Sequence, residues 1–384
     1  MPQEVFFTIT TARGQAFCDR AGERDCLKKN IEKGQHTVVV APRRYGKTSL
    51  VRKVLTDMNV HYAEADLFCV VYTQGVCERL EQGISKVVRS MAPFTKRAIR
   101  WISDCFKKAN IVVKAGGFEL KLDFSKPMFD PAAEIADMLN GLEKFAVKQN
   151  KRVVVFLDEF QDLLRVDEAN AIQAAIRSVA QVAQNLCFVF SGSSRYMLKK
   201  IFDDRNQPLY MCCQTILLNR IPHSDFKSHL EIAAKKRWRN SLPEDVIDKI
   251  LTVTACHSYY VNLLCDQLWE GNQLPTTQSV QEAWKNCLDN QVNKCIADLE
   301  PLNSNRLKIL TAVALLGGIK EPNSKFFQEK VDLPLGSMQK TLQFLLDRDY
   351  LYWTKDQTLT LVDPLLQYFI RTKIAGSRQA TEDN

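Results

Sequence analysis

No apolar run in this chain of 384 residues reaches the roughly 18 residues of a membrane span, and the opening Met1-Pro2-Gln3-Glu4 shows no signal-peptide pattern. The expected setting is the cytoplasm, with no membrane partner. Of the twelve cysteines, no two stand as Cys-x-x-Cys. Several lie inside apolar runs (Cys69, Cys187, Cys265), which reads as reduced, buried thiols rather than a disulfide or zinc framework. The five histidines are scattered and form no metal constellation. Charge of one sign does not dominate: 52 Lys and Arg against 44 Asp and Glu leave +8, which permits an anionic partner without demanding one. A composition 46% hydrophobic and 25% charged is that of a globular chain long enough for two or three domains with a sizeable core.

What is present is organised around residues 38–50, Val-Val-Val-Ala-Pro-Arg-Arg-Tyr-Gly-Lys-Thr-Ser-Leu. Three β-branched residues run into a turn-forming segment, Gly46-Lys47-Thr48 follows, and Leu50, Val51, Val54 and Leu55 recur with helical spacing. Strand, loop and helix with Gly-Lys-Thr at the junction is the order of a phosphate-binding loop. The loop of Ala41, Pro42, Arg43, Arg44, Tyr45, Gly46, Lys47, Thr48 and Ser49 would turn backbone N–H groups and a helix N-terminus toward anionic oxygens. Lys47 would reach the β- and γ-phosphates, and the Thr48 hydroxyl would ligate Mg²⁺. Gly46 lets the backbone approach without a Cβ. The first glycine of the pattern is replaced by Ala41, with Pro42 after it; alanine is the smallest substitute, so the loop is expected to form. A chance basic turn before a helix is the plain alternative.

A second stretch argues against chance. Residues 152–160, Arg-Val-Val-Val-Phe-Leu-Asp-Glu-Phe, are a buried-strand run ending in two acids. A continuous apolar run suits a central parallel strand covered on both faces, and ligands bind at the C-terminal ends of such strands. Asp158 fits the holder of Mg²⁺, and Glu159 fits the base that polarises an attacking water. The expected ligand is a nucleoside triphosphate. A third apolar run, 186–190, ends in Ser191-Gly192-Ser193-Ser194-Arg195. If that strand lies between the other two, Ser193 and Arg195 stand near the γ-phosphate; a simple strand-end turn is the alternative. With 60–68 and 214–218, five strands alternate with helices, giving an α/β, doubly wound layer.

Between these motifs, residues 77–127 read as a basic helical stretch broken near Pro93, then a hairpin of 111–114 and 118–122 joined by Gly116-Gly117. Residues 86–114 carry eight Lys or Arg and one acid, Asp104. A solvated helix face is the favoured reading, with a docking face for nucleic acid or another acidic partner as the functional one.

In residues 42–50, 157–161 (Leu-Asp-Glu-Phe-Gln) and 191–195 (Ser-Gly-Ser-Ser-Arg) the chain resembles AAA+/STAND-type P-loop ATPases of the archaeal-type ATPase group. The resemblance implies a sheet ordered 5-1-4-3-2 in residues 1–224, a helical lid in 225–301 and a winged helix in 302–374, before a polar tail at 375–384. It also implies ATP as the nucleotide, in keeping with the absence of a guanine-reading Asn-Lys-x-Asp, and a base-flanking role for Arg20, followed by Glu23. Asp19 reads equally as the N-cap of the helix that follows. Helices are expected at 225–238, 243–254, 259–271 and 277–300, then at 306–316, 324–329 and 337–347, with a hairpin of 351–354 and 358–361.

The lid stretch Ala255-Cys256-His257-Ser258-Tyr259-Tyr260 has no arginine where motor-type relatives place a γ-phosphate sensor, so a slow ATPase is expected; His257 reads as a packed histidine. Arg205 stands where the family places a trans-acting arginine, and an exposed loop arginine is the alternative. From Pro301 onward, eleven basic residues face nine acidic ones, weak for a DNA-reading element. The expected function is an ATP-hydrolysing molecular switch acting on a protein client or through self-association. A nucleotide-gated DNA-binding regulator and a nucleotide-bound scaffold stand as alternatives.

Overall fold

A computed structural model describes residues 5–92, 95–109, 111–114, 119–122, 130–354 and 356–375. Chain contacts divide it into two units. One, the core unit, holds Arg20–Arg43 and Lys47–Leu218; the other, the C-terminal unit, holds Asn219–Asn384 together with Met1–Asp19 and the loop residues Arg44–Gly46.

The core unit begins with α1 (Ala21–Glu32), β1 (Thr37–Val40), α2 (Lys47–Asp57) and β2 (His61–Asp66). Next come α3 (Thr73–Met91), α4 (Lys96–Cys105) and the antiparallel pair β3 (Ile111–Lys114) and β4 (Glu119–Leu122), then α5 (Pro131–Gln149) and β5 (Val153–Asp158). A 3₁₀ turn at Phe160–Arg165, α6 (Ala169–Ala180), β6 (Leu186–Gly192), α7 (Arg195–Phe202) and β7 (Gln214–Leu217) complete it. Five strands form one parallel sheet in the order β2-β5-β6-β1-β7. Numbered among themselves they read 2-3-4-1-5, which is the expected 5-1-4-3-2 from the other edge. The three middle strands, β5, β6 and β1, are buried along their whole length. That burial explains why their sequences are continuous apolar runs rather than alternating ones.

Local signals set the helix ends. Asp130 accepts from the N–H groups of Ala132 and Ala133, with Pro131 in the first turn, and so starts α5; Asn150 in the left-handed region ends it. Ser194 caps α7 and Thr95 caps α4. Asp19 does not cap α1: the cap position is Arg20, itself left-handed at φ 60°, with no side chain capping the helix. The hairpin between α4 and α5 is there as expected, while its turn Gly116-Gly117, with Phe118 and Pro93, lies outside the described residues. Cys69 is exposed rather than buried, because its apolar surroundings are a turn after β2 and not a strand; its N–H donates to Asp162.

The C-terminal unit contains α8 (His223–Trp238), α9 (Glu244–Val253), α10 (Ser258–Glu270), α11 (Thr277–Asp289) and α12 (Val292–Leu299). After them come α13 (Ser304–Leu316), α14 (Lys325–Val331), α15 (Leu335–Asp347), the antiparallel pair β8 (Leu351–Trp353) and β9 (Leu359–Leu361), and α16 (Pro364–Phe369). Ile319 bridges to Leu359 beside that pair. Lys355, in the expected turn, and the tail beyond Ala375 lie outside the described residues. The single helix expected at 277–300 is two, broken at Asn290-Gln291. The buried positions Val280, Trp284, Cys287, Leu288, Cys295 and Leu299 keep helical spacing across the break, so periodicity alone could not reveal it. Among the described residues no helix is long and apolar enough to cross a membrane.

Two glycines test how α3 and α15 are packed. A Cβ on Gly83 would stand 2.5 Å from the Glu64 carbonyl oxygen, so α3 meets the backbone of β2 at this point, whereas Gly336 in α15 faces open space. Glycine to alanine favours a helix by about 1 kcal/mol, while overpacking costs about 1–3 kcal/mol. Gly83→Ala is therefore expected to lower the melting temperature and Gly336→Ala to raise it slightly, as thermal denaturation followed by circular dichroism would show.

Candidate functional site

The loop after β1 explains how an alanine replaces a glycine. Ala41 is buried and lies outside the left-handed region; the loop residues that enter it are Arg44 (φ 65°) and Gly46 (φ 87°). At Gly46 the backbone angle, not space, calls for glycine, since a Cβ there would touch nothing. Lys47 is buried, and its Nζ donates to the carbonyl oxygens of Ala41 (3.1 Å) and Pro42 (3.2 Å). These are bonds that phosphate oxygens can replace. Ser49 is buried one turn into α2. The Arg43 guanidinium lies 5.8 Å from the centre of the Phe68 ring.

Arg44, Tyr45 and Gly46 group with the C-terminal unit. Arg44 stacks 4.2 Å over the Tyr259 ring, and Tyr45 packs edge-on against His257 at 4.7 Å. His257 is buried, and that burial pulls its pKa down to about 3, so the ring is neutral. Its Nδ1 accepts from the Tyr259 N–H, which caps α10. It is a packed histidine.

The acids at the end of β5 are held by the neighbouring elements. The Thr48 hydroxyl donates to Asp158 Oδ2 at 2.6 Å, and the Ser191 hydroxyl donates to Asp158 Oδ1. Asp158 is only 5% exposed. Burial raises its carboxyl pKa, outweighing the two hydroxyl hydrogen bonds that lower it, and the charge on Glu159 raises it further. Glu159 sits in the left-handed region (φ 50°) and turns the chain out of the strand. Its Oε2 accepts from Ser193 Oγ and from Gln161 Nε2, both at 2.6 Å. Gln161 Oε1 in turn accepts from the Ser193 N–H at 3.1 Å.

Thus Lys47, Thr48, Asp158, Glu159 and Ser193 lie at the C-terminal ends of β1, β5 and β6, because β6 runs between the other two. Arg195 opens α7, two residues beyond Ser193. Arg20 is buried and pairs with Glu23 at 3.2 Å. Arg205 is exposed in the turn after α7. Two residues of the cluster escaped the sequence reading: Ser191, whose signal is its place level with Asp158 on the adjoining strand, and Gln161, two residues after Glu159. Thr48 and Asp158 offer hard oxygens, which suit Mg²⁺, an ion that keeps most of its shell for water and phosphate. Among the described residues no group of three or more His, Cys, Asp or Glu could hold a metal by itself. A separate 610 Å³ groove runs along β2 and α3, lined by Arg52, His61, Glu64, Arg79 and Lys86, and none of the cluster's side chains lines it.

Residues 17–252 match a protein family described as an ATPase domain predominantly from Archaea. No curated protein matches the chain. Among solved structures, a Walker-type ATPase of Pyrococcus abyssi superposes with a TM-score of 0.69 at 16% identity, over 94% of this chain and 98% of that one. The ORC2 protein of Aeropyrum pernix, in its ADPNP–ADP complexes, gives a TM-score of 0.57 at 16% identity, over 93% and 95%. At such identities the likeness is one of fold.

A carboxylate that burial raises has a testable sign. The folded state binds its proton more tightly than the unfolded state does, so the ionised form costs stability at neutral pH. That cost vanishes as pH falls below the ordinary carboxylate pKa of about 4. Asp158→Asn without nucleotide is expected to melt above wild type at pH 7 and to lose the difference toward pH 4. Wild type is expected to melt higher with Mg²⁺ and ATP, and Asp158→Asn is expected to lack that shift. Melting curves at the two pH values, with and without Mg²⁺ and ATP, check both.

Proposed function

The chain belongs to the family of ATPase domains found predominantly in Archaea, and from that premise we propose that it is a slow, Mg²⁺-dependent ATP-hydrolysing switch. The observation that carries this reading is the 2.6 Å hydrogen bond from Thr48, on the phosphate-binding loop, to Asp158, with Glu159 next in the chain. In this reading Lys47 exchanges the carbonyls of Ala41 and Pro42 for β- and γ-phosphate oxygens, and the N-terminus of α2 adds its dipole. Thr48 and Asp158 would hold Mg²⁺, which when bound offsets charge on the phosphate oxygens. Glu159 orients the attacking water and takes its proton, while Ser193 and Arg195 face the charge developing on the γ-phosphate. Arg20 flanks the nucleotide base. Slow turnover follows from the lack of an arginine at residues 255–260.

The moving parts are a core of residues 1–224, a helical lid of 225–301 and a winged helix of 302–374. They would pass the nucleotide state to a protein client or to another copy of the chain. A second reading, a nucleotide-gated DNA binder, is favoured by the order α13, α14, α15, β8, β9, three helices and then a hairpin. It is weakened by the cations at hand: Arg306 and Arg348 both lie over the Phe344 ring of α15, at 3.4 and 5.6 Å. DNA is therefore not the favoured partner.

ATP turnover by wild type and Glu159→Gln, each with and without double-stranded DNA, tests these readings. Loss of a general base is expected to lower turnover by about 10²–10⁴-fold while ATP binding persists. Stimulation by DNA would move the reading to the second. Tight ATP binding without turnover in either protein would leave a nucleotide-bound scaffold.

A further inference from the structure

We propose that Gln161 is a positioning residue for Glu159, holding its carboxylate when Ser193 turns its hydroxyl to the γ-phosphate. The proposal rests on the reading of Glu159 as the base. Gln161 is 2% exposed, and both ends of its amide are used: Nε2 donates to Glu159 Oε2 (2.6 Å), and Oε1 accepts from the Ser193 N–H (3.1 Å). A second Nε2 contact reaches Ser193 Oγ at 3.4 Å. The amide therefore spans the end of β6 and the carboxylate beyond β5.

Room for that amide is made by Gly192. A Cβ there would stand 2.1 Å from Gln161 Oε1. Gly192 lies outside the left-handed region, so its backbone angle does not call for glycine; the space for Gln161 does. Glu159, by contrast, is held left-handed, a conformation that disfavours a residue with a side chain. Both irregularities serve one cluster.

Proton counting separates the roles of the two donors. The Ser193 hydroxyl carries one hydrogen. While that hydrogen goes to Glu159 it cannot go to a phosphate oxygen, so engagement of the γ-phosphate removes one donor from the carboxylate. The Gln161 amide has two hydrogens. One stays on Glu159 and the other can follow Ser193 Oγ, which becomes an acceptor as its own proton leaves. Gln161 thus keeps the base in place at the moment of reaction, without touching nucleotide itself.

Two substitutions test this, with kcat and KM for ATP measured between about pH 6 and 9. Gln161→Leu keeps the volume but removes the amide, and is expected to lower kcat about tenfold with KM within about twofold, the signature of an interaction needed in the transition state. Gln161→Glu sets two carboxyl groups side by side, so the second ionises only as pH rises. When protonated it donates to Glu159 as glutamine does; when ionised it repels Glu159. Its kcat relative to wild type should fall about tenfold as pH rises across that range, a trend that a merely structural role would not produce.

Turnover of Gln161→Leu within twofold of wild type, or a Gln161→Glu ratio flat with pH, overturns the proposal. Should Gln161→Leu fail to fold, the pH ratio of Gln161→Glu decides alone. Glu159→Gln is the control. If it hydrolyses ATP as fast as wild type, the reading of Glu159 as the base fails; if it is inert while Gln161→Leu is normal, only the role of Gln161 fails.

Discussion

One buried carboxylate ties the core unit together at its chemical end. Asp158 accepts a hydroxyl from Thr48, the second residue of α2, and another from Ser191 in β6. Each bond joins β5 to an element that lies far from it in sequence. Burial works against the ionised form, as the upward shift of its pKa shows, and a buried charge left unpaired would cost several kcal/mol. The geometry is therefore constrained: the loop helix and the central strand must both arrive, or the carboxylate is stranded. The carboxylate oxygens of Asp158 are thereby held in place by side chains from two other elements.

The sheet makes that arrival possible. Val38, Val39 and Val40 of β1 and Val153, Val154, Val155 and Phe156 of β5 are buried, so each strand is packed on both faces and its register is constrained. Because β6 lies between them, the residues after its last buried aromatic, Phe190, come level with the two acids. Parallel strands of this kind bring their C-terminal ends, and the N-termini of the helices that follow them, to the same side of the sheet.

The Gly-Lys-Thr loop between β1 and α2, the two acids after β5 and the strand order were legible because each rests on a local pattern or on the family likeness those patterns bring. Ser191 and Gln161 were not, for a physical reason. A serine within an apolar strand and a glutamine in a short 3₁₀ turn carry no periodic signal; their meaning is the hydrogen bond they make across the sheet. Cys69 misled for the converse reason, since Leu67, Phe68, Val70 and Val71 around it look like strand residues but Phe68 and Val71 are exposed on a turn. The break at Asn290-Gln291 was hidden by buried residues that keep the same spacing on both sides.

The C-terminal unit uses a half-buried polar group in a different way. Asp363 caps α16 through the N–H groups of Leu365 and Leu366 and also pairs with Lys294 Nζ at 2.8 Å. The Tyr260 hydroxyl donates to it as well. Burial would raise its pKa, but the Lys294 charge and the Lys294 and Tyr260 hydrogen bonds hold it below the usual carboxylate range. Arg220 adds a second tie, donating to the carbonyls of Ala255, Leu361 and Val362. Such ties contribute little net stability compared with apolar packing, yet each fixes where β9 and α16 sit relative to α10 and α12. An apolar contact of similar area would tolerate sliding; a carboxylate with four donors does not. The same means govern both units: apolar runs supply the enclosure, and one hydrogen-bonded carboxylate in each ties together segments far apart in sequence.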